Sequence, residues 1–126
     1  MPGRKLIVAC TAKEWRALQD KARATVAPPD SYSWRFVWSA AILREGDFGR
    51  ARLSPTSQEP EPGKRGQAIV TVARGLAEDH TEETMIHEMA HCLDSWAHAA
   101  GRGDHDSHFW LCYGAVWRAM KGAGTG

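Results

Sequence analysis

The sequence predicts an α+β fold: an N-terminal helix, a small three-stranded, mostly antiparallel sheet, a helix bearing a histidine-rich pentapeptide, and a C-terminal helix. Three observations predict it. Apolar residues recur at helical spacing near both ends of the chain, they alternate at period two over residues 32–43, and Ile69, Val70, Thr71 and Val72 form a β-branched run. A chain of 126 residues has room for one modest core, so residues 1–126 form a single domain with frayed ends at 1–5 and 122–126.

Thr11 is placed to N-cap the first helix, with Glu14 three residues on as its capping-box partner. Trp15, Leu18, Ala22 and Val26 give this helix an apolar stripe, and Pro28-Pro29 ends it. Residues 32–43 follow as a strand, with Trp34, Phe36, Trp38, Ala40 and Ile42 on one face. A turn through Gly46 returns the chain as a second strand, Phe48 to Leu53, which predicts a hairpin. Residues 54–66, rich in Pro, Glu, Gly and Ser, read as a surface loop, and Gln67 to Arg74 as a third strand. Asp79 or Thr81 caps the next helix, whose buried stripe is Met85, Ile86, Met89, Leu93, Trp96 and Ala97 and whose end falls near Ala100 and Gly101. A loop, Arg102 to His105, leads to a last helix over roughly 107–121, with Phe109, Tyr113, Val116, Trp117 and Met120 on its apolar face.

Apolar content of 43% and charged content of 25% are those of a soluble globular protein. Six tryptophans suggest a small core filled by a few large side chains. Residues 1–54 carry ten Lys/Arg against five Asp/Glu, and residues 55–126 carry six against ten. The basic half offers at most a weak nucleic-acid contact, since no motif supports direct base or phosphate readout. Cys10, Cys92 and Cys112 form no C-x-x-C pair and sit among apolar neighbours, which excludes a zinc ribbon and predicts packing roles. The apolar run Leu6 to Cys10 is too short for a signal peptide or a membrane span, so the expected location is the cytoplasm, with no membrane partner.

The pentapeptide is His87-Glu88-Met89-Ala90-His91, an H-E-x-x-H sequence on a helix. Histidines four apart project from one helix face, so their imidazoles can hold a single Zn²⁺ while the intervening glutamate acts on a water at the metal. A catalytic zinc takes three protein ligands. No glutamate follows Glu88, which excludes a downstream Glu ligand. His98 is seven residues past His91, about 10 Å along the axis, and cannot reach the same ion on a continuous helix. Asp94, one turn past His91, is placed to accept a hydrogen bond from a ligand imidazole. His105 and His108 remain as third ligand, because Gly101 and Gly103 let the chain reverse over the metal; spacing favours His105 modestly.

The run Thr84 to Trp110 (TMIHEMAHCLDSWAHAAGRGDHDSHFW) resembles the SprT-like (Spartan-type) zinc metallopeptidases. Their signature is H-E-x-x-H on a helix, a short connection, and a histidine in a segment like G-H-G-x-x-F/W that opens the next helix. Here the segment is Gly103 to Trp110, and the resemblance makes His105 the third ligand. Gly49 to Leu53 is similar to the family's Gly-Arg strand, and Ala68 to Ala73 to the strand before its metal helix, so the resemblance covers about residues 12–120. Two departures stand out: Asp104 and Asp106 occupy small or glycine positions, and the sequence shows no C-terminal zinc ribbon or DNA-binding tail.

The resemblance implies a minimal zincin-like domain that hydrolyses peptide bonds of a protein or peptide substrate, DNA-associated proteins among them. His87, His91 and His105 would bind Zn²⁺, Glu88 would be the catalytic base, and His108 or Tyr113 would be available to stabilise the oxyanion. It also implies a sheet strand beside the motif helix, and residues 67–74 are the candidate strand to pair with an extended substrate by strand addition. A competing class for the same motif is a non-proteolytic zinc-binding regulatory or interaction domain; the intact Glu88 argues for chemistry, since a structural site needs no base there.

Overall fold

The capping box at Thr11 forms as the sequence predicts. In the computed structural model, which describes residues 8–56, 60, 62–99 and 105–122 (the side chains of residues 99, 105 and 106 excepted), helix α1 spans Ala12–Thr25. Thr11 Oγ1 accepts from the Glu14 N–H at 3.1 Å, and Glu14 Oε1 accepts from the Thr11 N–H at 2.8 Å. Trp15, Leu18 and Ala22 of α1 are buried, as is Val26 just past its end.

The elements that follow are β1 (Tyr32–Ser39), α2 (Ala40–Arg44), β2 (Gly49–Ser54), β3 (Gly66–Ala73), α3 (Glu78–Ala99) and α4 (His105–Gly122). The class is α+β: the described residues form four helices and a three-stranded sheet of order β1-β3-β2. The sheet is mixed, which corrects the expectation of a mostly antiparallel one: β1 runs parallel to β3, and β2 antiparallel to it. The expected hairpin between β1 and β2 does not form, because β3 lies between them.

The reason is local. Period-two alternation extends through Ile42, but β1 ends at Ser39, opposite the last residue of β3, Ala73. Ala40 to Arg44, five residues of good to fair helix propensity, coil into α2 instead. Ile42 then packs with Ala73 and Leu76 in a small cluster of its own. Gly46, at φ +88°, makes the following turn in a conformation that suits glycine. The central place of β3 also overturns strand addition on residues 67–74, since both of its edges are paired within the sheet.

Register puts Trp34, Ala68 and Leu53 in one cross-strand row, and Phe36, Val70 and Ala51 in the next. This sheet face joins the main core with Met85, Ile86, Met89 and Cys92 of α3 and Val116 and Met120 of α4. Burying each such large apolar side chain stabilises the fold by about 1.5–3 kcal/mol relative to leaving it exposed. Gly66 is required by close approach: a Cβ there would fall 2.5 Å from Cε2 of the buried Tyr32 ring. Trp15 stacks on Trp38 with centroids 5.3 Å apart, so tryptophans do fill the small core where α1 meets β1.

Two helix starts move from expectation. The motif helix begins at Glu78, ahead of both expected caps, and the Thr81 hydroxyl donates back to the Ala77 carbonyl at 2.8 Å inside the helix. The last helix begins at His105, which was expected in the preceding loop. The expected Gly101 helix end and residues 102–104 of that loop lie outside the described residues, as do parts of the 54–66 loop and most of both frayed ends, although α4 itself reaches Gly122. Among the described residues, no helix is long and apolar enough to cross a membrane.

Candidate metal centre

Helix α3 runs unbroken from Glu78 to Ala99, so His98 stays two turns beyond His91, as helix geometry requires. His87 and His91 converge: their Nε2 atoms are 3.0 Å apart, with ring centroids at 4.6 Å and planes at 72°. Aromatic rings of α4 back the pair. Phe109 lies on His91 at 4.4 Å between centroids and 28° between planes, and sits 5.4 Å from His87; Tyr113 is 6.1 Å from His87. Burial lowers the pKa of His87 below the ordinary imidazole value, which favours the neutral ring a metal needs.

Glu88 is buried, with 8% of its surface exposed. Burial, with a smaller contribution from the charge of Asp47, pushes its carboxyl up to about 7. It lines a cavity of about 370 Å³ with Phe48, Gly49, His80, Glu83, Thr84, His87 and Tyr113. Strand β2 closes tightly on one wall, since a Cβ on Gly49 would lie 2.6 Å from Thr84 Cγ2 and 2.8 Å from Glu88 Cγ. Phe48 stands over His80 at 4.9 Å and is half exposed at the rim.

The structure therefore brings His91 against His87, and places His87, Glu88 and Tyr113 in one cavity. Convergence of two imidazole nitrogens beside a carboxylate fits a zinc donor set. Among the described residues, no group of three His, Cys, Asp or Glu side chains is gathered to hold a metal. His105, the expected third ligand, has its side chain outside the described residues; its backbone opens α4 one helical turn before Phe109, on the same helix face.

His108 is held elsewhere. Its Nδ1–H donates to Asp94 Oδ1 at 2.9 Å, and it lines a separate apolar groove with Leu93, Trp96, Leu111 and Cys112. Asp94, expected to accept from a ligand imidazole, accepts here from His108. Cys92 is packed in the core: its Sγ faces the carbonyls of Ile69 and Arg52 at 3.9 and 4.0 Å, and burial pushes its thiol up to about 12.

Sequence reasoning missed Phe48, His80, Thr84 and Phe109. A signal for two of them was present: His80, Thr84, His87, Glu88 and His91 fall at i, i+4, i+7, i+8 and i+11, a single helix stripe. The chain matches no family model, no curated protein and no solved structure in comparisons with known proteins.

Proposed function

We propose that this chain is a zinc-dependent metallopeptidase with a zincin-like, SprT-type site, acting on protein or peptide substrates. The observation that carries the reading is the 3.0 Å approach of His91 Nε2 to His87 Nε2, where His87 lines the same cavity as Glu88. His87, His91 and His105 hold the metal. Bound zinc supplies an electrophile that activates water and polarises the scissile carbonyl.

The chain's own residues do the rest. Glu88 takes the proton of the attacking water and passes it to the leaving amine. Gly49 of β2 lies against its side chain, which limits how far the carboxylate can swing on that side. Phe109 fixes the ring plane of His91 by stacking. Tyr113, in the same cavity, is the candidate donor to the oxyanion. Strand β2 is an edge strand that begins at Gly49 beside Glu88, so an extended substrate has a backbone edge next to the site. DNA-associated proteins are a substrate class to include in trials, given the basic first half of the chain.

The test is metal-dependent cleavage. The zinc-loaded chain is expected to cut an unfolded protein substrate, to stop on chelation, and to recover when zinc is returned. Zinc binding is expected to fall in His87→Ala, His91→Ala and His105→Ala alike. Cleavage that continues in chelator, or zinc binding indifferent to all three substitutions, contradicts the proposal.

A further inference from the structure

We propose that Asp94 and His108 form a positioning clamp that seats the first turn of α4, and with it His105, against the His87–His91 pair. The inference rests on the zinc reading above and adds to it two residues that touch neither metal nor substrate.

Asp94 is 1% exposed, on α3 one turn past His91. A carboxylate so deeply placed costs several kcal/mol of desolvation, by order of magnitude, unless it is hydrogen-bonded. His108 supplies a bond at 2.9 Å from the first turn of α4. The next residue, Phe109, stacks on His91 at 4.4 Å. Two consecutive residues of α4 thus grip two residues of α3 that are three apart. One contact is directional and polar, and the other is a ring stack. Together they fix both the height and the rotation of α4 where it passes the motif.

Residue 105 lies three positions before His108 and four before Phe109, on the face of α4 that these residues share. Any rotation or slide permitted by losing the clamp would be carried directly to that position. The far end of α4 is anchored independently, by buried Val116 and Met120 and by Lys121 on Glu82. Anchoring the helix and setting its first turn are therefore separable.

Zinc affinity, measured on the full chain by competition with a chromogenic chelator, separates these roles. Asp94→Asn keeps an oxygen that accepts from His108 and is expected to bind zinc within about twofold of the parent. The double variant Asp94→Leu with His108→Phe replaces the pair by apolar groups, keeps the interface filled, and is expected to lose about tenfold in zinc affinity. Val116→Ala is expected to lower the melting temperature and leave zinc affinity unchanged. If the Leu/Phe chain does not fold, Asp94→Asn with His108→Phe replaces it, with the same expected loss. A folded double variant that binds zinc as tightly as the parent overturns the clamp and leaves the metallopeptidase reading intact. Zinc affinity in the parent that is insensitive to His87→Ala removes that reading, and the clamp with it.

Discussion

Gly49 of β2 and Glu88 of α3 are in direct apposition: a Cβ at position 49 would fall 2.8 Å from Glu88 Cγ and 2.9 Å from its Oε2. Such distances are closer than packed atoms tolerate, so even one methyl group must push the glutamate or the strand. Gly49→Ala is expected to lower kcat/KM by roughly 10- to 100-fold, as misplacement of a reacting group does. Overpacking should also destabilise the fold by about 1–3 kcal/mol. Zinc affinity should hold, since His87 and His91 are untouched. Steady-state kinetics with zinc titration check this; unchanged kinetics would mean that Glu88 needs no such confinement.

Tyr113 shares the Glu88 cavity, and its ring lies 6.1 Å from that of His87. Loss of an oxyanion donor typically costs about 10²–10³ in kcat, so Tyr113→Phe should lower kcat into that range while KM and zinc content stay near the parent values. A fall in KM affinity with kcat preserved would assign Tyr113 to substrate binding instead.

Glu82 ties three helices together. Lys121 Nζ donates to its Oε1 at 2.8 Å, and Lys21 donates to its Oε2. Burial alone would raise its pKa, but the two lysines outweigh burial and hold it below the ordinary carboxylate value of 4.5. A carboxylate with a depressed pKa stabilises the fold above its unfolded value and loses that contribution as pH falls through the folded one. The parent should therefore lose stability below about pH 4.5, and Glu82→Gln should flatten that loss while costing about 1–2 kcal/mol at pH 7. Melting temperatures across pH 3–7 for both chains measure it; parallel curves would contradict the assignment.

How much of this was legible in the sequence follows from the range of the interactions. The capping box of Thr11 and Glu14 is closed within four residues, so spacing alone revealed it. The same is true of the α3 stripe, where Met85, Ile86, Met89 and Ala97 are buried and Leu93 and Trp96 partly so, and of the shared face of His87 and His91; both follow from helix period. Strand order is different. Whether β2 returns beside β1 or beyond β3 depends on α2 and on the Ile42–Ala73–Leu76 cluster, contacts spread over more than thirty positions. Alternation through Ile42 matched a strand and one turn of helix equally well, and nothing nearby decided between them.

At the site, Asp94 and His108 were each noticed for a role toward the metal, but their pairing joins two helices and has no local signature. Phe109 was expected on the apolar face of the last helix; its stack on His91 became visible only once α4 was placed against α3. Gly49 illustrates the same limit, since its lack of a side chain matters only because Glu88 and Thr84 stand opposite.

The most direct test is Glu88→Gln, assayed at zinc occupancy matched to the parent. Glutamine fills the same space beside Gly49 but cannot take a proton. The account predicts that zinc remains bound and that cleavage of an unfolded protein substrate falls by about 10²–10⁴-fold, the range expected for loss of a general base. A Gln chain that binds zinc and cleaves as fast as the parent would contradict it.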